Sequence, residues 1–505
     1  MAPRVSVRRN ILANYASQIY GMAVGVVMAP VYLSYMGKEA YGLIGFFTMM
    51  TSWFQLLDMG LTPTLARETA RFRAGAIGID ALRAHMRALE AVFGAVAMLG
   101  ALVLVLLSRE IAVSWLKVGS LRIEEVADAV MLMGLAAPLR WMSGLYRGVV
   151  NGFERQVWLS GYNITVSTAR FVGVLAVFAA MGATPVNFFS YQLAVAVLEL
   201  AGLMIATYAL VRRGAGPRGK FSWDPLRRNL AFSLAIAFSA TVWVVVSQTD
   251  RLILSKLLPL AQYGVFSIAV VAATAINAAN GPFNLALMPR LTKLVAERND
   301  AGIASLYSRS TQAAVTLLAP AVVLLAFFAE KVLEAWTGDA AIAAQAAPIL
   351  CLYAIGYGAV SLHSFVYYIQ YAHGDLKLHF IGHALLLAFL VPAYLLLAPR
   401  YGAAGTGAAW AAANGLYALF WIPVVHARFF TGRHWRWMTR DVLAIVVPTV
   451  LAGWILSRVA VWPHGRIAMC AMAALLALVL LAVSCAGSTV VRAEVFRRAR
   501  ALAGT

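Results

Sequence analysis

The stretch Ile467-Ala-Met-Cys-Ala-Met-Ala-Ala-Leu-Leu-Ala-Leu-Val-Leu-Leu-Ala-Val-Ser-Cys-Ala-Gly-Ser-Thr489 carries no charge, and none follows until Arg492. A helix crossing a bilayer needs roughly 20 apolar residues, so this run is long enough to span one. Thirteen more runs precede it, at approximately 11–35, 41–62, 88–107, 126–147, 161–181, 188–210, 230–250, 262–287, 311–330, 346–370, 378–398, 404–427 and 441–460. Together they use most of the chain, and the longest connection on the outward side, 108–125, is too small to fold as a domain. Composition agrees: charged residues make up 12% of the 505 and apolar residues 62%, against about 25% charged in soluble domains. An ordinary soluble enzyme and a disordered chain are both excluded. The expected fold is an all-α polytopic membrane protein with about 14 transmembrane helices.

The net charge of +20 arises from 41 Lys and Arg against 21 Asp and Glu. In a soluble chain that excess would point to nucleic acid. Here the placement decides. With the amino terminus in the cytoplasm, 29 of the basic residues fall in inward segments and 10 in outward ones, the asymmetry expected of positive-inside topology. Both termini are therefore expected in the cytoplasm, and the partner is the lipid bilayer, with no nucleic acid. The richest inward stretch runs from Arg212-Arg213-Gly-Ala-Gly-Pro-Arg218-Gly-Lys220 to Arg227-Arg228. It reads as an orientation signal facing anionic lipid, with a nucleotide or regulatory site as the alternative. Cys351, Cys470 and Cys485 all lie in apolar runs, so neither a disulfide framework nor a thiolate metal site is indicated. The first run is too long for a signal peptide and lacks a small-x-small cleavage site, so the span is expected to be retained.

The chain also repeats itself. Arg8-Arg9-Asn10 opens the first run and Arg227-Arg228-Asn229 the seventh; Tyr41-Gly42 begins the second and Tyr263-Gly264 the eighth. Pro63-Thr-Leu-Ala-Arg67 and Pro289-Arg290-Leu-Thr-Lys293 mark corresponding exits. Six spans restore the starting side, so the halves run in the same direction and imply two six-helix lobes related by an axis along the membrane normal. The expected divisions are an N-terminal lobe at 1–211, a basic linker at 212–228, a C-terminal lobe at 229–427, and an appended helix pair with a basic tail at 428–505.

With these motifs the chain resembles a known family. Tyr41-Gly42, Leu57-Asp58-Met-Gly60-Leu-Thr-Pro-Thr with Arg67, Gln248-Thr-Asp250-Arg251-Leu-Ile-Leu, and Tyr263-Gly264-Val-Phe-Ser are similar to the Wzx-like polysaccharide and O-antigen precursor flippases. These belong to the multidrug/oligosaccharidyl-lipid/polysaccharide (MOP) exporter superfamily. Val332-Leu-Glu-Ala-Trp336-Thr-Gly338, Gln370-Tyr-Ala372-His-Gly374 and Tyr401-Gly402-Ala-Ala-Gly405 extend the likeness over nearly the whole chain. The resemblance implies a non-enzymatic flippase that moves undecaprenyl-diphosphate-linked oligosaccharide repeat units from the cytoplasmic to the periplasmic leaflet, by alternating access of two lobes. It also implies a bacterial inner-membrane location and drive by the membrane potential or an H+ or Na+ gradient, with no cofactor. A polysaccharide polymerase and a chain-length regulator are the protein partners to expect.

A lipid-linked sugar diphosphate keeps its tail in lipid while an anionic head crosses, so its path must be wet and somewhere positive. A charge at the bilayer centre costs about 3 kcal/mol on insertion scales, so intramembrane ions should face a cavity or a partner. Arg170 and Glu199 lie midway along the fifth and sixth runs, in adjacent antiparallel spans, and should meet at similar depth. They form either a structural ion pair or a substrate contact in which Glu199 releases the head or carries a proton. Arg140, in the inner half of the fourth run, is a second candidate for a cationic lumen or a helix-packing residue. Arg147, seven residues on and on nearly the same face, can line that lumen or snorkel to the cytoplasmic interface. Arginine suits diphosphate oxygens better than lysine does.

Asp58 and Arg67 flank the cytoplasmic end of the second run, and Asp250 and Arg251 the outer end of the seventh; anchoring and gating are the two readings for them. His363 is a candidate for proton coupling. His379 and His383 are four apart but lack acidic or thiolate companions, so no metal site is expected. Trp115, Trp223, Trp336, Trp435, Trp437 and Trp462 read as interfacial belt residues. Gly21-xxx-Gly25 and Gly144-xxx-Gly148 permit close helix approach. Asn163-Ile-Thr165 matches a glycosylation pattern but falls on the wrong side of the membrane. The competing functions are a peptidoglycan-precursor (lipid II) flippase, which fits the same cationic interior, and a cation-coupled multidrug exporter, which would call for carboxylates instead. A membrane polymerase or ligase would need an outer loop or acid/base cluster, and no phosphate-cradling Gly-x-x-x-x-Gly-Lys stretch is present.

Overall fold

The computed structural model describes residues 7–211, 224–278, 280–494 and Arg497, and among them the secondary structure is helical apart from an isolated bridge between Lys117 and Pro259. The basic stretch at 212–223, with Trp223, lies outside the described residues, as do the side chains of Arg227 and Arg228. The chain divides into two compact units, Met1–Gly264 and Val265–Thr505.

The first unit begins with α1 (Val7–Phe54), α2 (Leu61–Arg73), α3 (Ile79–Glu110) and α4 (Ile123–Gly152). It continues with α5 (Gln156–Thr168), α6 (Val174–Met181), α7 (Pro185–Val211), α8 (Asp224–Leu257) and the first turn of α9 (Leu260–Ala278). The second unit holds the rest of α9, then α10 (Gly281–Ala296), α11 (Asp300–Phe327), α12 (Ala329–Thr337), α13 (Ala340–Ala372) and α14 (Lys377–Leu416). It ends with α15 (Ile422–Phe429), α16 (His434–Arg436), α17 (Ala444–Val459) and α18 (Arg466–Gly487). The second copy of the sequence repeat opens at α8, whereas packing groups α8 with α1, α2 and α3, so the boundary between compact units falls later.

Among the described residues ten helical segments are long and apolar enough to cross a membrane. Two of them, Leu12–Asp58 and Lys377–Phe429, each contain two of the runs read from the sequence. The runs at 126–147 and 230–250 lie in α4 and α8, so each of the fourteen runs has its helix or helix pair. Both fused segments are kinked at a glycine between their runs: Gly37 has φ 82° and Gly402 φ 55°, conformations that glycine adopts without a Cβ penalty. The run at 262–287 is split between α9 and α10. Pro282 stands in the first turn of α10, where its missing N–H costs nothing, but it could not continue a helix begun upstream.

The apolar surface faces outward. Only 11% of the most apolar stretch of α3 is buried, against 61% for α13, which packs on α10, α11, α12 and α14. Such exposure marks a lipid-facing wall. α17 and α18 pack on each other and on α11. Inside the first unit, the two repeat signatures meet: a methyl on Gly42 would strike the carbonyl oxygen of Leu260, and one on Gly264 that of Lys38. The small-residue pairs also sit at crossings within the chain, with Gly21 and Gly25 facing Ser167 and Phe171, and Gly144 and Gly148 facing Thr62. The belt reading fails for Trp437, which is 1% exposed and donates its indole N–H to Thr311 Oγ1 at 3.0 Å. Its neighbour Trp435 is 76% exposed.

Candidate functional site

α4 and α7 pack along their length. Arg140 and Arg147 stand seven residues apart on one, and Gln192 and Glu199 seven apart on the other, so two turns of each helix form matching rungs. Arg140 donates to Gln192 Oε1 at 2.5 Å, and Arg147 donates to Glu199 Oε1. Arg170 enters from the side, on a π turn at Ala169–Gly173 between α5 and α6. It donates to Glu199 Oε2, while its backbone carbonyl accepts from Gln192 Nε2 at 3.0 Å. A single π turn rotates the residues beyond it and recurs at functional sites; here it sets the guanidinium against α7.

One carboxylate thus serves two guanidinium groups, with a third nearby. Glu199 is 4% exposed, Arg147 28% and Arg170 23%, so the acid is sealed while the two cations keep an open side. That side is a hollow of about 330 Å³ between α1 and α5, where Arg147, Arg170, Asn163, Gln18, Ser17 and Ser167 present polar atoms. Arg140 does not line it: its guanidinium lies 4.6 Å from the Phe47 ring centre. The Nε atoms of Arg140 and Arg170 are buried with no partner among the described residues. Three arginines against one glutamate leave the cluster positive by two charges, and the polar lining can accept or donate to an anionic, hydroxyl-bearing ligand.

The snorkelling alternative for Arg147 is overturned, because its guanidinium is drawn to Glu199 and to Asn163 Oδ1. Asn163 had shown only as a misplaced glycosylation pattern. Tyr162 also supports the cluster, donating to the Glu199 carbonyl at 2.8 Å. The signal for Gln192 was its seven-residue spacing from Glu199, which copies that of Arg140 and Arg147.

The remaining candidates lie apart from this cluster. Asp58 ends a 3-10 turn and accepts from the Thr62 hydroxyl and from the Thr62 N–H at 3.3 Å, fixing the start of α2. Arg67 donates to Glu68 at 3.3 Å, and Arg71 binds the same carboxylate at 3.0 Å. Glu68, 5% exposed, is a buried acid that the sequence reading passed over. Asp250 is 2% exposed, which removes it from the cheap interfacial setting, and it accepts from the Arg251 N–H at 2.8 Å. His363 is buried, with Nε2 3.1 Å from the Asn414 carbonyl and its ring 4.2 Å from that of Tyr417. His379 and His383 have ring centres 4.2 Å apart, and no group of three metal-ligand residues occurs among the described residues.

A family described as "Polysaccharide biosynthesis protein" matches residues 7–295. No curated protein matches the chain. Among solved structures, the lipid II flippase MurJ in an inward closed conformation has a TM-score of 0.65 at 13% identity, covering 94% of this chain and 97% of its own. An inward-facing multidrug resistance MATE family transporter of the MOP superfamily has a TM-score of 0.66 at 15% identity, covering 82% and 94%. A MOP superfamily transporter from Pyrococcus furiosus, described as having a binding pocket of reverse polarity, reaches 0.54 at 14% identity, covering 83% and 95%. At such identities the likeness establishes a shared fold.

Proposed function

Because the chain belongs to the polysaccharide biosynthesis protein family, and is a multi-pass membrane protein of the MOP transporter fold, we propose that it flips undecaprenyl-diphosphate-linked oligosaccharide repeat units from the cytoplasmic to the periplasmic leaflet of the bacterial inner membrane. The observation that supports this reading is the pair of arginines, Arg147 and Arg170, held on one sealed glutamate and opening on a polar hollow inside a lipid-facing helical unit. A pyrophosphate diester is doubly anionic, which balances the excess of three guanidinium groups over one carboxylate. Without cargo, Glu199 supplies the counter-charge that keeps the arginines tolerable in a low dielectric. When the diphosphate arrives, its oxygens take the open faces of both forks, and charge-assisted bonds replace the water lost on entry. Asn163, Gln18 and the serines offer hydrogen bonds to the sugar hydroxyls.

The cycle in this proposal is alternating access driven by the membrane potential or an H+ or Na+ gradient, with Asp58, Arg67, Asp250 and Arg251 as gating contacts and His363 as a coupling residue. A polysaccharide polymerase and a chain-length regulator act on the product outside. A cationic drug is a poor cargo for a cluster of this sign. A peptidoglycan precursor is the second reading. It carries the same diphosphate, and the fold likeness over 94% of this chain is to a lipid II flippase.

The test is flipping of a fluorescent diphosphate-linked oligosaccharide in proteoliposomes of the purified protein, with Arg170→Ala, Glu199→Ala and the double variant. Loss of flipping in all three is expected. Full activity in the double variant would make the pair structural and end the substrate role. The lipid that accumulates on the inner leaflet after deletion of the gene separates the two precursors.

A further inference from the structure

The second unit contains a larger hollow, of about 940 Å³, at the end where α11 starts and α15 finishes. Its lining includes Arg309, Arg433, Arg436, Arg440 and Arg497. These come from three separate segments: α11, the turn and π helix that connect α15 to α17, and the residues after α18. Two acids face the same space, and both are engaged. Glu494 pairs with Arg497 at 2.7 Å. Asp441, 3% exposed, accepts from Gln312 Nε2 at 2.7 Å and from Ser308 Oγ at 2.5 Å. The floor is therefore built: Gln312 Oε1 in turn accepts from Ser488 Oγ at 3.0 Å, Thr489 Oγ1 at 3.2 Å and the Val490 N–H at 3.1 Å. On α11, Ser305, Ser308, Arg309 and Gln312 fall at the offsets that share one helix face.

Arg309, Arg436 and Arg440 have no acidic partner among the described residues. Five arginines against two acids leave this hollow positive by three charges, and guanidinium groups that share one space gain from an anion between them. We propose that this hollow is a binding site for a phosphate-bearing anionic group, separate from the arginine–glutamate cluster of the first unit. Its volume exceeds what an inorganic ion fills and matches pockets for organic ligands of a few hundred Å³ or more. A lipid headgroup is the favoured source. Trp435, beside the arginines, is 76% exposed, and α17 continues from them with an exposed apolar face of Val447, Leu451 and Trp454 that acyl chains can cover.

The full-length protein in neutral detergent, titrated with phosphatidylglycerol, phosphatidylcholine or soluble glycerol 3-phosphate and read by native mass spectrometry and thermal unfolding, tests the site. Phosphatidylglycerol is expected to bind and stabilise the wild type, and Arg309→Gln/Arg436→Gln/Arg440→Gln to lose affinity by about a hundredfold, on a scale of somewhat under tenfold per surface arginine. Three lysines at the same positions should retain most of the binding, which separates charge from misfolding. Arg400→Gln, an exposed arginine outside the hollow, should change nothing. If glycerol 3-phosphate stabilises equally and with the same dependence on the three arginines, the site holds and its ligand is a soluble phosphate ester. Equal binding of phosphatidylglycerol by the wild type and the glutamine variant, or no preference for it over phosphatidylcholine, overturns the proposal.

Discussion

Glu199 neutralises two cations at once, so its removal should cost more than the removal of either arginine. Glu199→Ala leaves Arg147 and Arg170 without their acid in a mostly sealed setting, and breaking a buried pair by deleting one partner costs about 3–5 kcal/mol. Arg170→Ala leaves Glu199 still paired with Arg147, so it should cost clearly less; thermal unfolding in detergent orders the two. If Arg170→Ala proves the more damaging, the carboxylate is not the centre of the cluster. The pairing of Arg170 with Glu199 was legible in the sequence, because a charge in the middle of an apolar run needs a partner at its own depth. The part played by Arg147 was not. Near the end of a span, a long side chain can turn to the interface or to the interior, and only the position of α7 decides which. Asn163 and Gln192 carry no charge, so the composition of their runs did not mark them, and only the seven-residue spacing from Glu199 pointed to Gln192. Asp250 misled in the opposite sense, since an acid near the end of a run looks exposed until the neighbouring helices close over it, and Glu68, beyond the end of the second run, drew no notice for the same reason.

The helices place these side chains through two local devices that can be tested separately. The π turn at Ala169–Gly173 adds one residue to the path between α5 and α6. Deleting Val172 should restore a continuous α-helix and rotate the two segments by about 100° relative to each other. The expected outcome is a protein that still inserts and purifies but has lost flipping, because Arg170 no longer meets Glu199 while the rest of the unit keeps its packing. Wild-type flipping in that variant would show that the turn does not set the site. The second device is the close contact of the Tyr41-Gly42 and Tyr263-Gly264 segments. Gly42→Val forces a side chain into the Leu260 carbonyl and should destabilise the protein by about 1–3 kcal/mol, against little change beyond helix propensity for Val at Gly94, where an added Cβ meets nothing within 4 Å. Thermal unfolding of both variants checks this. The repeat was visible in the sequence from matching motifs, but that its two copies touch was not, since a repeat defines equivalence and says nothing of contact. Likewise Pro282 was in plain view inside an apolar run, and hydropathy alone could not show that it divides α9 from α10.

At the scale of the whole molecule, the lipid-facing apolar walls establish a multi-pass membrane protein and the family match places it among polysaccharide biosynthesis proteins, while its orientation rests on the sequence asymmetry of 29 inward against 10 outward basic residues. α11 offers a direct way to measure that orientation. It is an uninterrupted helix from Asp300 to Phe327, 28 residues long, and so spans about 42 Å, more than the hydrocarbon core. Glu297, just before it, and Lys331, just after it, must therefore lie on opposite faces of the membrane. Both are accessible on the surface of the second unit: Glu297 is 50% exposed and pairs with Lys293 at 3.6 Å, and Lys331 is 41% exposed. The three cysteines are unpaired and can be replaced by serine to give a silent background. In that background Lys331→Cys should react with a membrane-impermeant maleimide in cells with a permeable outer layer but an intact inner membrane, and Glu297→Cys only after that membrane is breached. The reverse pattern would place the arginine-rich end of the second unit outside. It would also invert the direction of the proposed transport, because the positive-inside argument that fixes one end of the chain fixes the other.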